Sequence, residues 1–291
     1  MKEKACYTAI RLSPSLANFG ENIYTGITPD HQKCCLFEYH SEGESVASFV
    51  IPEGGKEVYY QATGIGQKAI PSLIKGNITK YCLQEQGYFC LHASAVCVED
   101  KTILFIGRKG AGKSTLAAYF HIKGHDIWSD DYSRLLQENK TFFIAQGETS
   151  LKINPDIASY FNIPAAQLKP VFETPPDWKF DAQSEVLLRK FFFHQRLSVA
   201  DERPRKVTAV FFIGPRIATD QTVITRKSMS DSLPVLMQEI LLPGVNSQKY
   251  TATYFQSALN LLEIVPFYEV NGPDNIRRIP EVYNAIIDAI S

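Results

Sequence analysis

The chain reads as an α/β protein: a mixed sheet with helices around a phosphate-binding loop, preceded by a small β-rich module. Three observations predict this. The octapeptide Gly107-Arg108-Lys109-Gly110-Ala111-Gly112-Lys113-Ser114 fits the pattern G-x-x-x-x-G-K-[ST]. The β-rich run Thr102-Ile103-Leu104-Phe105-Ile106 leads into it, and Thr115-Leu116-Ala117-Ala118-Tyr119-Phe120 continues it as a helix that stops at Gly124. The texture of the chain also changes near residue 87, from short strands between polar turns to strands alternating with helices.

The 291 residues suit two domains, taken as 1–86 for the β-rich module and 87–291 for the catalytic domain. Formal net charge is −1, and basic and acidic residues are mixed. No Lys/Arg block marks a nucleic-acid groove, so nucleic acid is not an expected partner. No run of 18 apolar residues occurs, and Met1-Lys2-Glu3-Lys4-Ala5 lacks the apolar stretch of a signal peptide. The expectation is a cytoplasmic protein without a membrane partner. Six cysteines (Cys6, Cys34, Cys35, Cys82, Cys90, Cys97) form no C-x-x-C pair, and no His stands at zinc-ligand spacing. Cys90 and Cys97 read as small buried hydrophobes, and disulfides are not expected. The adjacent Cys34-Cys35 leave a metal pair open as a weaker reading.

In the front module, Tyr7–Ile10, Cys35–Tyr39, Ala47–Ile51 and Tyr59–Ala62 read as strands, and Lys68–Gln86 as a helix ending at Gly87. Tyr88–Val98 is strand-like and turns at Glu99-Asp100-Lys101 into Thr102–Ile106, a hairpin placed directly before the glycine loop. Asp126–Ser129, Phe142–Ile144 and Ser150–Ile153 follow as strands, with Val207–Ile213 and Thr222–Thr225 as a further pair. Helices are expected over Ser230–Leu242, Thr251–Glu263 and Pro280–Ile290, with Pro280 at a favoured first-turn position. Phe191-Phe192-Phe193 reads as core at a helix end rather than as an exposed aromatic grip.

The glycine loop carries the firmest chemistry. Glycines allow successive backbone N–H groups to turn inward around phosphate oxygens. A helix starting near Lys113 aims its positive end and its free N–H groups at the same anion. Gly107, Arg108, Lys109, Gly110, Ala111, Gly112, Lys113, Ser114 and Thr115 are therefore the candidate nucleotide contacts. Lys113 would bridge the outer phosphates, and the Ser114 hydroxyl would ligate Mg²⁺. A nucleotide with Mg²⁺ is the expected ligand of this loop, and ATP is the nucleotide implied by the resemblance described below.

Trp128-Ser129-Asp130-Asp131-Tyr132 comes one strand after the loop's helix, on a strand expected to lie beside the loop's own. Neighbours on a strand point to opposite faces, so the two carboxylates can divide roles only if the chain turns there. One would accept a proton from an attacking hydroxyl, and the other would ligate or orient Mg²⁺. A solvated turn is the bland alternative.

Taken in order, His92, Gly107–Ser114 and Gly124–Asp131 resemble the catalytic core of HPr kinase/phosphorylase, closely over Tyr88–Leu136 and in outline beyond. The resemblance implies a P-loop kinase core of the HPr-kinase C-terminal type and ATP-dependent phosphorylation of a serine hydroxyl. It implies that Asp130 is the acid/base, that Asp131 supports it, and that Lys113 and Ser114 hold phosphate and metal. It also places His92 near the reacting phosphate; alone, a His in an apolar strand reads as a core residue. Family members are hexamers, which makes a homo-oligomer an expectation. Two departures stand out. The front module is unlike that of bacterial HPr kinases. Ala145-Gln146-Gly147-Glu148-Thr149-Ser150 also stands where the family carries a glycine-rich, Arg-containing segment tied to phosphorylase activity; Glu148 remains a candidate Mg²⁺ contact.

In length, front module and the run His92-Ala93-Ser94-Ala95-Val96, the chain is most similar to the branch that phosphorylates a C-terminal serine of lasso peptide precursors. The expected partner is thus a precursor peptide or small protein bearing a serine. A small-molecule hydroxyl, an HPr-like protein and a regulator that holds nucleotide without transferring phosphate remain alternatives. Arg189, Arg196, Arg203 and Arg205 are candidates for neutralising the migrating phosphoryl, or else a solvated basic loop.

Overall fold

The computed structural model describes residues 2–3, 13–14, 22–41, 44–63, 65–171, 190–193, 203–215, 221–240, 248–272 and 275–291. Cys6, Arg189, Arg196 and the strand expected at Tyr7–Ile10 lie outside them. Contacts divide the chain into two compact units. The first takes in Met1–Tyr88 together with Pro170–Arg189 and Leu241–Thr251. Within this unit Ser72 Oγ donates to the Val171 carbonyl at 2.9 Å, and Tyr250 Oη donates to that of Glu85 at 2.8 Å.

The first unit carries β1 (Lys2–Glu3), β2 (Ser13–Pro14), β3 (Asn22–Ile27), β4 (Lys33–Ser41), β5 (Glu44–Pro52) and β6 (Tyr59–Ala62), in the order β1-β6-β5-β4-β3-β2. Alternate residues face opposite sides. Cys35, Phe37 and Tyr39 pack with Ala47, Phe49 and Ile51 in the main core of this unit, whereas Cys34, Leu36 and Val50 lie in a separate cluster. Neighbouring thiols on opposite faces cannot jointly hold one metal, which removes that alternative for Cys34-Cys35. The expected single helix over Lys68–Gln86 is broken. α1 (Ile65–Leu73) contains Pro71, a π-helical turn covers Ile74–Ile78, and α2 (Thr79–Glu85) follows. At Gly76, φ −92° and ψ −119° are not helical, a kink at a glycine five residues after Pro71.

The second unit begins with β7 (Phe89–Leu91), β8 (Ala93–Val98) and β9 (Lys101–Ile106), then α3 (Lys113–Ile122), β10 (Asp126–Ser129), β11 (Ser133–Glu138), β12 (Thr141–Ile144) and β13 (Leu151–Ile153). α4 (Pro155–Tyr160), β14 (Leu168–Pro170), β15 (Phe191–Phe193), β16 (Arg205–Ile213) and β17 (Val223–Arg226) come next. α5 (Met229–Ile240), α6 (Gln248–Ile264, which enters this unit at Ala252), β18 (Phe267–Asn271) and α7 (Ile279–Ile290) complete it. The main sheet runs β10-β8-β9-β16-β12-β11-β7, and β18 pairs with both β16 and β17. β8 and β9 form the expected antiparallel hairpin, while β9 runs parallel to β16 on its other side, so the sheet is mixed.

Four expectations are corrected here. β10 does not lie beside the glycine-loop strand; it pairs with β8, and the hairpin strand stands between them. Tyr88–Val98 is two strands, because the chain changes partner at His92: β7 pairs with β11 and β8 with β9. The segments at Val207 and Thr222 do not pair with each other, since β18 inserts between β16 and β17. Phe191–Phe193 is a strand paired with β13, not a helix end. Its core reading holds: Phe193 is buried, and Phe191 packs against the same cluster.

The core of this unit lies between the β8–β9–β16 centre and α3. β8 is buried at every position, the mark of a strand covered on both faces. α3 turns Leu116, Ala117, Ala118 and Phe120 inward and ends at Gly124, whose φ of +97° is the left-handed conformation that closes many helices. Phe105 meets Phe120 at 5.3 Å and Phe211 at 6.3 Å between ring centroids. Among the described residues, no helix is long and apolar enough to cross a membrane. Phe105 has no exposed surface. Phe105→Ala is therefore expected to cost about 3–5 kcal/mol of stability, read as a lowered urea midpoint.

Candidate functional site

The loop after β9 is shaped for an anion. Gly107, Gly110 and Gly112 have φ of +145°, +86° and +101°, values that L side chains rarely adopt. A Cβ on Gly107 would stand 2.9 Å from the Ile213 carbonyl oxygen, so the loop is pressed against the end of β16. Gly112 caps α3 with no side-chain acceptor, which leaves the first helical N–H groups to whatever binds there. Arg108, Lys109 and Gly110 are exposed, and Ala111, Gly112, Ser114 and Thr115 half-buried. Lys113 is only 8% exposed, and its ammonium donates to the Gly107 carbonyl at 2.6 Å. Burial lowers the Lys113 pKa, opposed by the negative charges of Glu239, Asp130 and Asp131. A phosphate chain fits this environment. It would give the buried cation the counter-ion that a single carbonyl dipole does not.

Asp130 follows the last residue of β10 and is 2% exposed. Ser94 Oγ on β8 donates to its Oδ1 at 2.6 Å, and Ser114 Oγ lies 3.2 Å from Oδ1 and 3.4 Å from Oδ2. The carboxylate thus touches the P-loop serine although its strand is next but one to the loop strand. Burial, then the nearby Asp131 charge, push its pKa up from the usual carboxylate range to about 6, against the Ser94 hydrogen bond.

Asp131 provides the turn that a division of roles requires. Its φ is +64°, left-handed for a non-glycine residue, and it swings the second carboxylate away from Ser114. Asp131 Oδ2 instead meets Lys152 Nζ of β13 at 2.5 Å. Burial works against its ionisation, but Lys152, His92 and Lys190 together hold its pKa below the usual range. The Asp131 side chain keeps 38% of its surface, so this pair is partly screened by water. Lys152 is raised by the same pair in spite of burial, whereas burial lowers Lys190, which feels Asp131, Asp130, Lys152 and the loop residue Lys109.

Segment 145–150 backs the two acids. The Glu148 carbonyl accepts from the Asp130 N–H at 2.7 Å, and the Gly147 N–H donates to Trp128 at 3.0 Å. A Cβ on Gly147 would come within 2.9 Å of Ser129 Cβ, so only glycine allows this approach. The Glu148 side chain accepts from the Ser150 N–H at 3.1 Å, a local turn contact. His92 sits at the β7–β8 break with Nδ1 3.2 Å from Glu239 Oε2. Of the candidate arginines, Arg203 is exposed and Arg205 stacks over the Trp128 ring at 4.8 Å.

The structure therefore brings Lys113, Ser114 and Asp130 together, with His92 beside Asp131, and it directs Asp131 to Lys152. Sequence reasoning missed Ser94, Lys152, Lys190 and Glu239. Ser94 could have been found, since its position two residues past His92 on a hairpin strand aims it at the same end of the sheet. Lys152, Lys190 and Glu239 carry no motif.

No protein-family model matches the chain, and no curated protein matches its sequence. In structure it is similar to the HPr(Ser) kinase/phosphatase from Coxiella burnetii, over 69% of this chain and 92% of that one, at 11% identity and a TM-score of 0.32. A superposition of that quality decides neither fold nor activity, and the functional reading rests on the site itself.

The raised pKa of Asp130 has a stability signature. A carboxyl group that ionises at about 6 when folded and about 4 when unfolded stabilises the protein below pH 4, and this contribution is lost as pH rises through 6. The expected loss is on the order of 2 kcal/mol. Asp130→Asn should remove this loss, seen by comparing chemical denaturation of the two proteins at pH 4.5 and 7.5.

Proposed function

We propose that this protein is an ATP-dependent kinase that phosphorylates a hydroxyl group, with Asp130 as the base. One observation carries the reading: a buried carboxylate with a pKa near 6 touches the serine of a P-loop beside a buried lysine. A proton acceptor is most effective when its pKa lies close to the working pH, and burial supplies that shift here.

Gly107–Thr115 would hold the phosphates through backbone N–H groups and the Lys113 ammonium, which would exchange its Gly107 carbonyl for an anion. The Ser114 hydroxyl is a hard oxygen of the kind that Mg²⁺ takes. Bound Mg·ATP supplies the transferable phosphoryl group and the metal's charge neutralisation. Asp130 then accepts the proton of the incoming hydroxyl, while Asp131, paired with Lys152, fixes the turn that points Asp130 at the loop. Lys152 and Lys190 add positive charge on that side. The resemblance noted in the sequence points to a peptide serine as acceptor, and that of a lasso peptide precursor is the substrate we favour.

The contact of Ser114 with Asp130 favours a second reading, in which Asp130 helps hold the metal and does not serve as base. Asp130→Asn separates the two. As a base, Asp130 gives a transfer rate that rises through about pH 6 and levels off; Asp130→Asn lowers the rate by about 10²–10⁴-fold with ATP affinity within about threefold. As a metal ligand, the same substitution raises the Mg²⁺ concentration needed for half-maximal nucleotide binding. Normal transfer by the variant to a serine peptide would overturn both readings. Lys113→Ala should abolish binding of a fluorescent ATP analogue while leaving the fold intact by circular dichroism.

A further inference from the structure

We propose that Glu239 is a positioning residue of the site, whose carboxylate orients the His92 ring beside the acid pair. Glu239 is the penultimate residue of α5 and is 6% exposed, next to Leu236 and Ile240, which have no exposed surface. Two effects oppose a negative charge there: removal from water, and the negative end of the helix dipole. A carboxylate in that place needs a hydrogen-bond donor, which the His92 ring supplies, and the main chains of the two residues are bonded as well. The Glu239 carbonyl, one of the last four of the helix, accepts from the His92 N–H at 2.8 Å. Its Oε2 lies 3.2 Å from His92 Nδ1.

Main chain and side chain of one residue thus clamp the histidine at the point where the strand changes partner. His92 lies between two sheet neighbours, so β pairing alone does not set its ring. With Nδ1–H donated to the carboxylate, a neutral imidazole keeps its lone pair on Nε2, the nitrogen on the far side of the ring from Glu239. Carboxylate–histidine pairs fix the tautomer and ring direction in this way in other proton-transfer and metal sites. The same carboxylate also contributes to the field at Lys113, more than Asp130 or Asp131 does. α5 is thereby tied to both ends of the site, although it carries no recognisable motif.

The inference rests on the phosphotransfer reading for its rate measurement only. In full-length protein with ¹⁵N-labelled histidine, His92 should be protonated on Nδ1 at neutral pH, and Glu239→Ala should give a mixture of tautomers. Transfer should slow by about 10–100-fold in Glu239→Ala. It should not slow further when the substitution is placed in a His92→Ala background. Glu239→Met, which keeps the bulk and removes both oxygens, serves the same measurements if the alanine variant does not fold. An unchanged tautomer, or equal slowing with and without His92, overturns the proposal. A chain that transfers no phosphate at all would sink the kinase reading, while the ring spectrum would still decide the role of Glu239.

Discussion

The site is organised by one electrostatic constraint: Asp130 must remain in a nearly water-free position, next to a second carboxylate. Neither charge is tolerated there without help. Two serine hydroxyls serve Asp130, one from the hairpin strand and one from the glycine loop, and a lysine ammonium serves Asp131. The two acids also diverge through a left-handed residue, which reduces their repulsion and gives them different neighbours.

The sheet order explains how so many groups converge. Placing β8 between β9 and β10 puts Ser94 on the strand that separates the loop from the acids, at the same end of the sheet as both. A hairpin inserted in this way lets three successive strand ends supply a loop, a hydroxyl and a carboxylate. The small sheet of β13, β15 and β14 adds the basic side, with Lys152 in register opposite Phe192 and Lys190 one residue before Phe191.

Local structure was legible in the sequence; long-range pairing was not. The glycine loop, its strand and its helix could be read because their spacing is dictated by phosphate geometry. Asp130 and Asp131 could be flagged as a pair that must turn, but nothing local says that Asp131 would turn toward Lys152. Strand order was misjudged at β10 and β17 because periodicity reveals that a strand exists, not which partner it takes. Glu239 was invisible for a related reason: a lone glutamate near the end of an amphipathic helix looks like any solvated residue until the fold buries it. The break at His92 was hidden by the apolar run on both sides.

Trp128 adds a practical property to this arrangement. It is one of two tryptophans in the chain, its indole N–H donates to the Ile144 carbonyl, and its ring carries the Arg205 guanidinium. It also stands two residues before Asp130, on the strand that ends at the acids. The protein therefore carries an intrinsic fluorophore two residues from Asp130, whose emission reports on the surroundings of the acid pair without an attached dye.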